Sequence, residues 1–308
     1  MRRFVLLAAL LLTAAGFAAL TGVAVPETEV AAGSPDALRI HFLDVGQGDA
    51  VLIEAPTGQR ALIDAGPGSD VVAQLRELGV DTIHLFIASH NHADHIGGAA
   101  AVLRAFPVRF FMDNGVPHTT AAYRNMLEAV AALDIPLLEP ERRSIELGDV
   151  ALEILPPPGD PELDHNDNSI GVALAYGEFR AMFAGDAEDH LWLHWLMHIP
   201  DAIPRDVDVH KASHHGSRNG DHRDALRRLR PELVVISASA GNQYGHPHAQ
   251  ALALYREIGA DVLVTAEVGT VTVTARADGT FGVGTSKTAE RTPLGVRARH
   301  PATGLAAR

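Results

Sequence analysis

Six consecutive residues carry the densest ligand chemistry in the chain: His90-Asn91-His92-Ala93-Asp94-His95. Three imidazoles and a carboxylate follow the apolar run His84-Leu85-Phe86-Ile87-Ala88 and precede Ile96-Gly97-Gly98. At the end of a strand, two-residue alternation projects His90 and His92 the same way, and the turn into a helix sends Asp94 and His95 toward a second position. Two metal ions a few ångströms apart need such a division. The 308 residues include 17 histidines and no cysteine, so nitrogen and oxygen must hold any metal, and thiolate nucleophiles and disulfides are excluded. No Gly-x-Ser-x-Gly elbow is present either, which agrees with a metal-activated water, hydroxide near neutral pH, serving as a nucleophile in place of a side chain.

The run resembles the signature of the metallo-β-lactamase superfamily, whose fold is a four-layer αββα sandwich, here as a single α/β (α+β) domain. A tighter resemblance covers most of residues 39–275. Phe42-Leu43-Asp44-Val45-Gly46-Gln47-Gly48-Asp49-Ala50, Asn166-Asp167-Asn168-Ser169, Gly185-Asp186-Ala187-Glu188, Lys211-Ala212-Ser213-His214-His215-Gly216-Ser217 and Tyr244-Gly245-His246-Pro247-His248 are similar, in order and spacing, to the hydrolase domain of ComEC-type DNA-uptake proteins. The resemblance implies a metal-dependent hydrolase, with a phosphodiester as the bond cleaved.

It also implies roles. His90 and His92 match ligands of a first metal; Asp94 and His95 match the second, with Asp94 also orienting the attacking water. Asp186 matches the carboxylate that bridges both ions, and an anionic bridge suits two adjacent dications. One of His214 and His215 completes the second metal, and His215, followed by glycine, is favoured, with His214 lining the pocket. For the first metal's last ligand, His165 stands beside Asn166 and Asn168 as alternatives. Asp64 corresponds to an aspartate that orients ligands from beneath. Asp44, Gln47 and Asp49 fall in a glycine-punctuated loop that is either near the pocket or a structural turn. His246 and His248 flank Pro247 in a loop expected to face the site, where His246 would touch a phosphate oxygen or protonate the leaving group. Lys211, Ser217 and Arg218 are grouped beside the metal motif as candidate phosphate contacts. Histidine and carboxylate donors suit two divalent ions, zinc first, with manganese or iron as alternatives.

Other histidines read as incidental. His190, His194 and His198 recur every four residues on a segment with Trp192 and Trp195, the pattern of a polar helix face. His118 has no readable role.

Around these residues the chain alternates short apolar runs with amphipathic segments. Strands are expected at 39–43, 50–55, 60–64, 83–88, 108–112, 150–155, 170–176, 180–184, 206–212, 232–237, 261–265 and 269–275. Helices are expected at 69–78, 97–105, 119–133, 187–198, 221–229 and 247–258. The Pro156-Pro157-Pro158-Gly159 stretch opens a long loop within one domain spanning 38–285. Residues 1–24 read as a signal peptide or membrane anchor, with a basic start and an apolar run from Phe4 to Leu20. That leader implies export to the periplasm or medium, or anchoring to the outer face of the cytoplasmic membrane; residues 25–37 read as a linker and 286–308 as a disordered tail.

A net charge of −13 argues against a broad basic surface for nucleic acid. The expected partner is a phosphodiester, single-stranded DNA included, bound weakly and with strong salt dependence. The alternatives are an acyl (lactam or lactone) hydrolase on the same fold and a non-catalytic binding protein.

Overall fold

The structure is a computed structural model that describes residues 37–287 and 294–297. The expected leader, the linker up to residue 36 and most of the expected tail lie outside the described residues. The chain opens with an antiparallel meander, β1 (Leu38–Phe42), β2 (Val51–Glu54) and β3 (Arg60–Ile63). It crosses through α1 (Val71–Glu77) to β4 (Ile83–Ile87), then through α2 (Ala93–Ile96) and α3 (Ala99–Ala105) to β5 (Val108–Met112). After α4 (Ala121–Ala132) a second sheet begins with β6 (Arg143–Leu147), β7 (Val150–Leu155), β8 (Gly171–Tyr176) and β9 (Phe179–Phe183). Helices α5 (Asp189–His198), α6 (Arg223–Leu229) and α7 (Ala249–Glu257) alternate with β10 (Val209–Lys211), β11 (Leu233–Ile236) and β12 (Asp261–Val264). The short α8 (Thr265–Val268) returns the chain to the first sheet through β13 (Val271–Ala275), β14 (Phe281–Thr285) and β15 (Leu294–Arg297).

The strand orders are β15-β14-β13-β1-β2-β3-β4-β5 and β12-β11-β10-β9-β8-β7-β6. Side-chain alternation divides the core into layers. Ile40, Phe42, Leu85 and Ile87 of the first sheet meet Ala181, Phe183, Val209 and Val235 of the second in one buried cluster, where the Phe42 and Phe183 rings lie 6.0 Å apart. Leu52, Leu62 and Phe86 point the other way, onto α1, α3 and α4. Met182 packs with the buried Trp192 and Trp195 of α5, and Val234 and Ile236 pack with Ala251 and Tyr255 of α7. The result is the expected αββα sandwich in a single domain.

Three strands depart from the expectation. β6 alternates exposed and half-buried residues at a sheet edge, and β14 is mostly half-buried. β15, placed in the tail by sequence, pairs antiparallel with β14. Parallel pairing is what builds the site. Ile63 is in register with Ile87, and Phe183 with Lys211, so β3, β4, β9 and β10 release their chains at a common edge.

Candidate metal centre

Asp64 and Ser89-His90 leave the ends of β3 and β4, Asp186 leaves β9, and His214-His215 leave β10. Asp94, His95, Asp186 and His215 converge so that one donor atom from each lies within 4.8 Å of the others. Asp186 Oδ2 is 3.2 Å from His95 Nε2 and 3.4 Å from His215 Nε2, which is also 3.3 Å from Asp94 Oδ2. The far ring nitrogens are committed elsewhere. His95 Nδ1 donates to Asp64 Oδ2 (2.8 Å) and His215 Nδ1 to the Ser237 carbonyl (2.9 Å), which turns each Nε2 toward the centre. Both Nε2 atoms and Asp186 Oδ1 are buried without a hydrogen-bond partner. Buried polar atoms left in this way fit a divalent ion.

His90 and His92 form a second focus, with His90 Nε2 3.1 Å from His92 Nδ1 and 4.0 Å from Asp186 Oδ2. Asp186 thus faces both foci. The loop before β8 brings His165 beside them, its ring 5.6 Å from His92 and its Nδ1 buried and unpartnered. The amide nitrogens of Asn166 and Asn168 are used within the fold, on Glu188 Oε1 and the Asp160 carbonyl, and each keeps a buried unpartnered Oδ1.

Electrostatics divides the imidazoles. Burial, followed by the neighbouring His95, pushes His90 well below its ordinary value, and burial with His95 also lowers His92, so both stand as neutral donors. Burial is the largest single influence on His95 and His215 too and opposes their charge, but Asp186 together with Asp64 at His95 and with Asp49 at His215 outweighs it; both are held well above the ordinary range. Asp186 is correspondingly held low against its own burial by His215 and His95.

Behind the ligands lies a support layer. Asp64 accepts from the Ser89 backbone N–H (2.7 Å), Ser89 Oγ (2.7 Å) and His95, fixing the start of the ligand loop. Gly48 is required here: its φ is +145°, and a Cβ would lie 2.2 Å from the Asp94 carbonyl oxygen. Lys211 is buried and ion-paired with Asp49, which also lies 3.3 Å from His215 Nδ1. Against the desolvation penalty, Lys211 and His215 hold Asp49 down at about 2. Lys211 is therefore not a phosphate contact, because its charge is spent beneath the ligands.

The turn that presents His214 and His215 has both residues in the left-handed region, φ 47° and 53°. It is pinned from below. Asp221 accepts from Ser213 Oγ (2.8 Å), His210 Nε2 (2.8 Å) and Tyr255 Oη (2.7 Å), while Trp192 Nε1 donates to Ser213 Oγ. Asp221→Ala orphans these three side-chain donors and the Ser213 backbone N–H (3.3 Å), at about 1–3 kcal/mol each. The variant is expected to lose about 3 kcal/mol or more in urea unfolding and to bind metal more weakly; an unchanged midpoint would show that the turn does not depend on this network.

Further residues resolve individually. His214 is half-buried, with Nε2 3.8 Å from Asp186 and Nδ1 2.9 Å from Glu188 Oε1, so it lines the pocket beside His215. His246 meets the His214 ring edge-on at 5.4 Å and stacks on His215 at 6.1 Å. Burial, then His214 and His215, lowers its pKa to about 4. It therefore faces the site as a neutral ring at neutral pH. His248 accepts from the Arg218 backbone N–H (3.1 Å) at the start of α7. Ser217 Oγ donates to Asn219, so this hydroxyl is not turned to a phosphate. Asp44 is paired with Lys287 (2.6 Å) and is not among the residues that touch the ligands. His118, without a role in the sequence, lies 4.4 Å from His165 and 5.8 Å from His92, ring to ring, held by Thr120 Oγ1. Its only sequence signal is a histidine following a strand end, as His90 does.

Fold and donor set define the class, a metal-dependent hydrolase of the αββα type. The chain belongs to the metallo-beta-lactamase superfamily, whose family model matches residues 43–238. It is 26% identical to ComE operon protein 3 of Bacillus subtilis over 76% of this chain and 32% of that protein. It is also 26% identical to Recombination protein 2 of Haemophilus influenzae over 68% of this chain and 25% of the relative. The chain therefore spans a third or less of these relatives. Among solved structures, the metallo-beta-lactamase fold protein YhfI from Bacillus subtilis superposes with a TM-score of 0.52 at 12% identity, covering 78% of this chain and 100% of its own.

Proposed function

We propose that the chain is an exported hydrolase that uses two divalent ions to cleave phosphodiester bonds, with single-stranded DNA as the substrate class to which its resemblance to ComEC-type proteins points. The observation that carries the metal chemistry is the four-residue focus of Asp94, His95, Asp186 and His215 with its unpartnered Nε2 atoms. Divalent ions bound there would act as Lewis acids on a phosphoryl oxygen and lower the pKa of water. His90, His92 and His165 would hold one ion, Asp94, His95 and His215 the other, and Asp186 would face both. Zinc suits this donor set, as do manganese and iron.

The remaining groups do the positioning. Asp94, held below the usual carboxylate range by His215 and His95 against its burial, is an ionised acceptor for a proton of the attacking water. His214 and the neutral His246 stand on the open side as N–H donors for the diester oxygens. The support for a phosphodiester over an acyl substrate is the similarity to the two competence-type relatives over about three quarters and two thirds of the chain.

Metal analysis and a substrate panel on wild type and His92→Ala test this reading. Wild type is expected to hold two ions and to hydrolyse bis-p-nitrophenyl phosphate and single-stranded DNA, with His92→Ala losing metal and activity together. Cleavage should fall steeply with salt, since the acidic chain attracts the substrate only locally. Turnover of nitrocefin or a lactone with both diesters intact would transfer the activity to acyl bonds.

A further inference from the structure

Three rings form a ladder that climbs from the metal centre to solvent. His215, whose Nε2 faces the centre, stacks with His246 at 6.1 Å and 29° between planes, and His246 stacks with Tyr244 at 5.6 Å and 24°. These are offset-stacked geometries. Tyr244, the last residue of the ladder, is 54% exposed. The loop that carries it is braced: Asn242 Nδ2 donates to the Ser239 carbonyl (2.9 Å) and the His246 carbonyl (2.6 Å), and Asn242 Oδ1 accepts from the His246 N–H (3.0 Å). A braced, exposed aromatic continuing a stack from the ligand shell is a platform for another flat ring.

We infer that Tyr244 stacks a nucleobase of a single-stranded nucleic acid whose scissile phosphate lies at the metal centre. The inference rests on the phosphodiester reading and narrows its substrate to a base-bearing diester. Two ring steps separate Tyr244 from His215, so the stacked base belongs to a nucleotide outside the scissile linkage. Every base has a π-face, so the contact is sequence-tolerant. It also suits an acidic chain, because stacking needs no positive charge.

The test measures binding apart from cleavage. The zinc-loaded full chain is titrated into a fluorescently labelled, phosphorothioate-linked oligothymidylate and into an abasic strand of equal length, with fluorescence anisotropy as the readout. Wild type is expected to prefer the base-bearing strand. Tyr244→Ala should weaken it about tenfold and erase the preference, the size expected for one stacked base; Tyr244→Phe should retain it. Equal affinity of wild type for the two strands, or an alanine variant that keeps the preference, overturns the platform. Failure of the phosphodiester reading shows separately, as absent turnover of bis-p-nitrophenyl phosphate by wild type.

Discussion

Asp186→Ala is expected to reduce bound metal from two ions to one or none and to lower diester hydrolysis by more than the 10–100-fold typical of losing an outer-shell partner. The reason is position. Oδ2 of this one side chain lies within 4.0 Å of ring nitrogens from His90, His95, His214 and His215, so it faces both foci. Its removal also leaves His95 and His215 without the partner that contributes most to holding them protonated. Asp186→Asn keeps the shape and removes the charge, and it should lose metal nearly as completely. Metal content by mass spectrometry and circular dichroism on the same samples distinguish loss of ligation from misfolding. A folded Asp186→Ala protein with two ions would remove Asp186 from the site.

Metal uptake at neutral pH is expected to release close to two protons. The sign follows from the raised pKa values of His95 and His215: without metal both rings carry a proton at neutral pH, and each must lose it before Nε2 can coordinate. Apparent affinity should therefore fall about tenfold per proton for each unit that pH falls below those raised values, about a hundredfold for the pair, and flatten above them. His90 and His92, already neutral, add little to this slope. Calorimetry in buffers of different ionisation enthalpy counts the protons, and zero release would contradict the arrangement. The metal-free fold should behave oppositely. Stability from the protonated pair is fully present below the unfolded histidine value of about 6.5 and is lost as pH rises through the folded values. Carboxylates at 49, 64, 94 and 186 are then left with Lys211 as the cation buried among them.

The ligand run was legible because its residues are adjacent, and the sandwich because that run carried a family resemblance that implied it; the apolar runs alone showed only a mixed α/β chain. What could not be read depends on pairings between distant segments. Lys211 looked like a free cation beside the metal motif, since nothing local shows that Asp49 reaches it through the sheet edge. His118 enters the site by the parallel packing of β5 against β4, which places its loop next to His165. β6 escaped notice because an edge strand needs only a few apolar residues, and Ile145 and Leu147 alone point inward. His246 was readable as a pocket residue but not as a neutral one, which follows from rings brought over it by β10.

The donors also come from both sheets: Asp94 and His95 follow β4 of one, Asp186 and His215 follow β9 and β10 of the other. A bound ion consequently ties together segments on the order of a hundred residues apart, a loop whose closure by a covalent link removes about 4–5 kcal/mol of chain freedom from the unfolded state. In a chain with no cysteine, the metals are the available cross-link, and their loss should make the two sheets separate more readily under heat or protease.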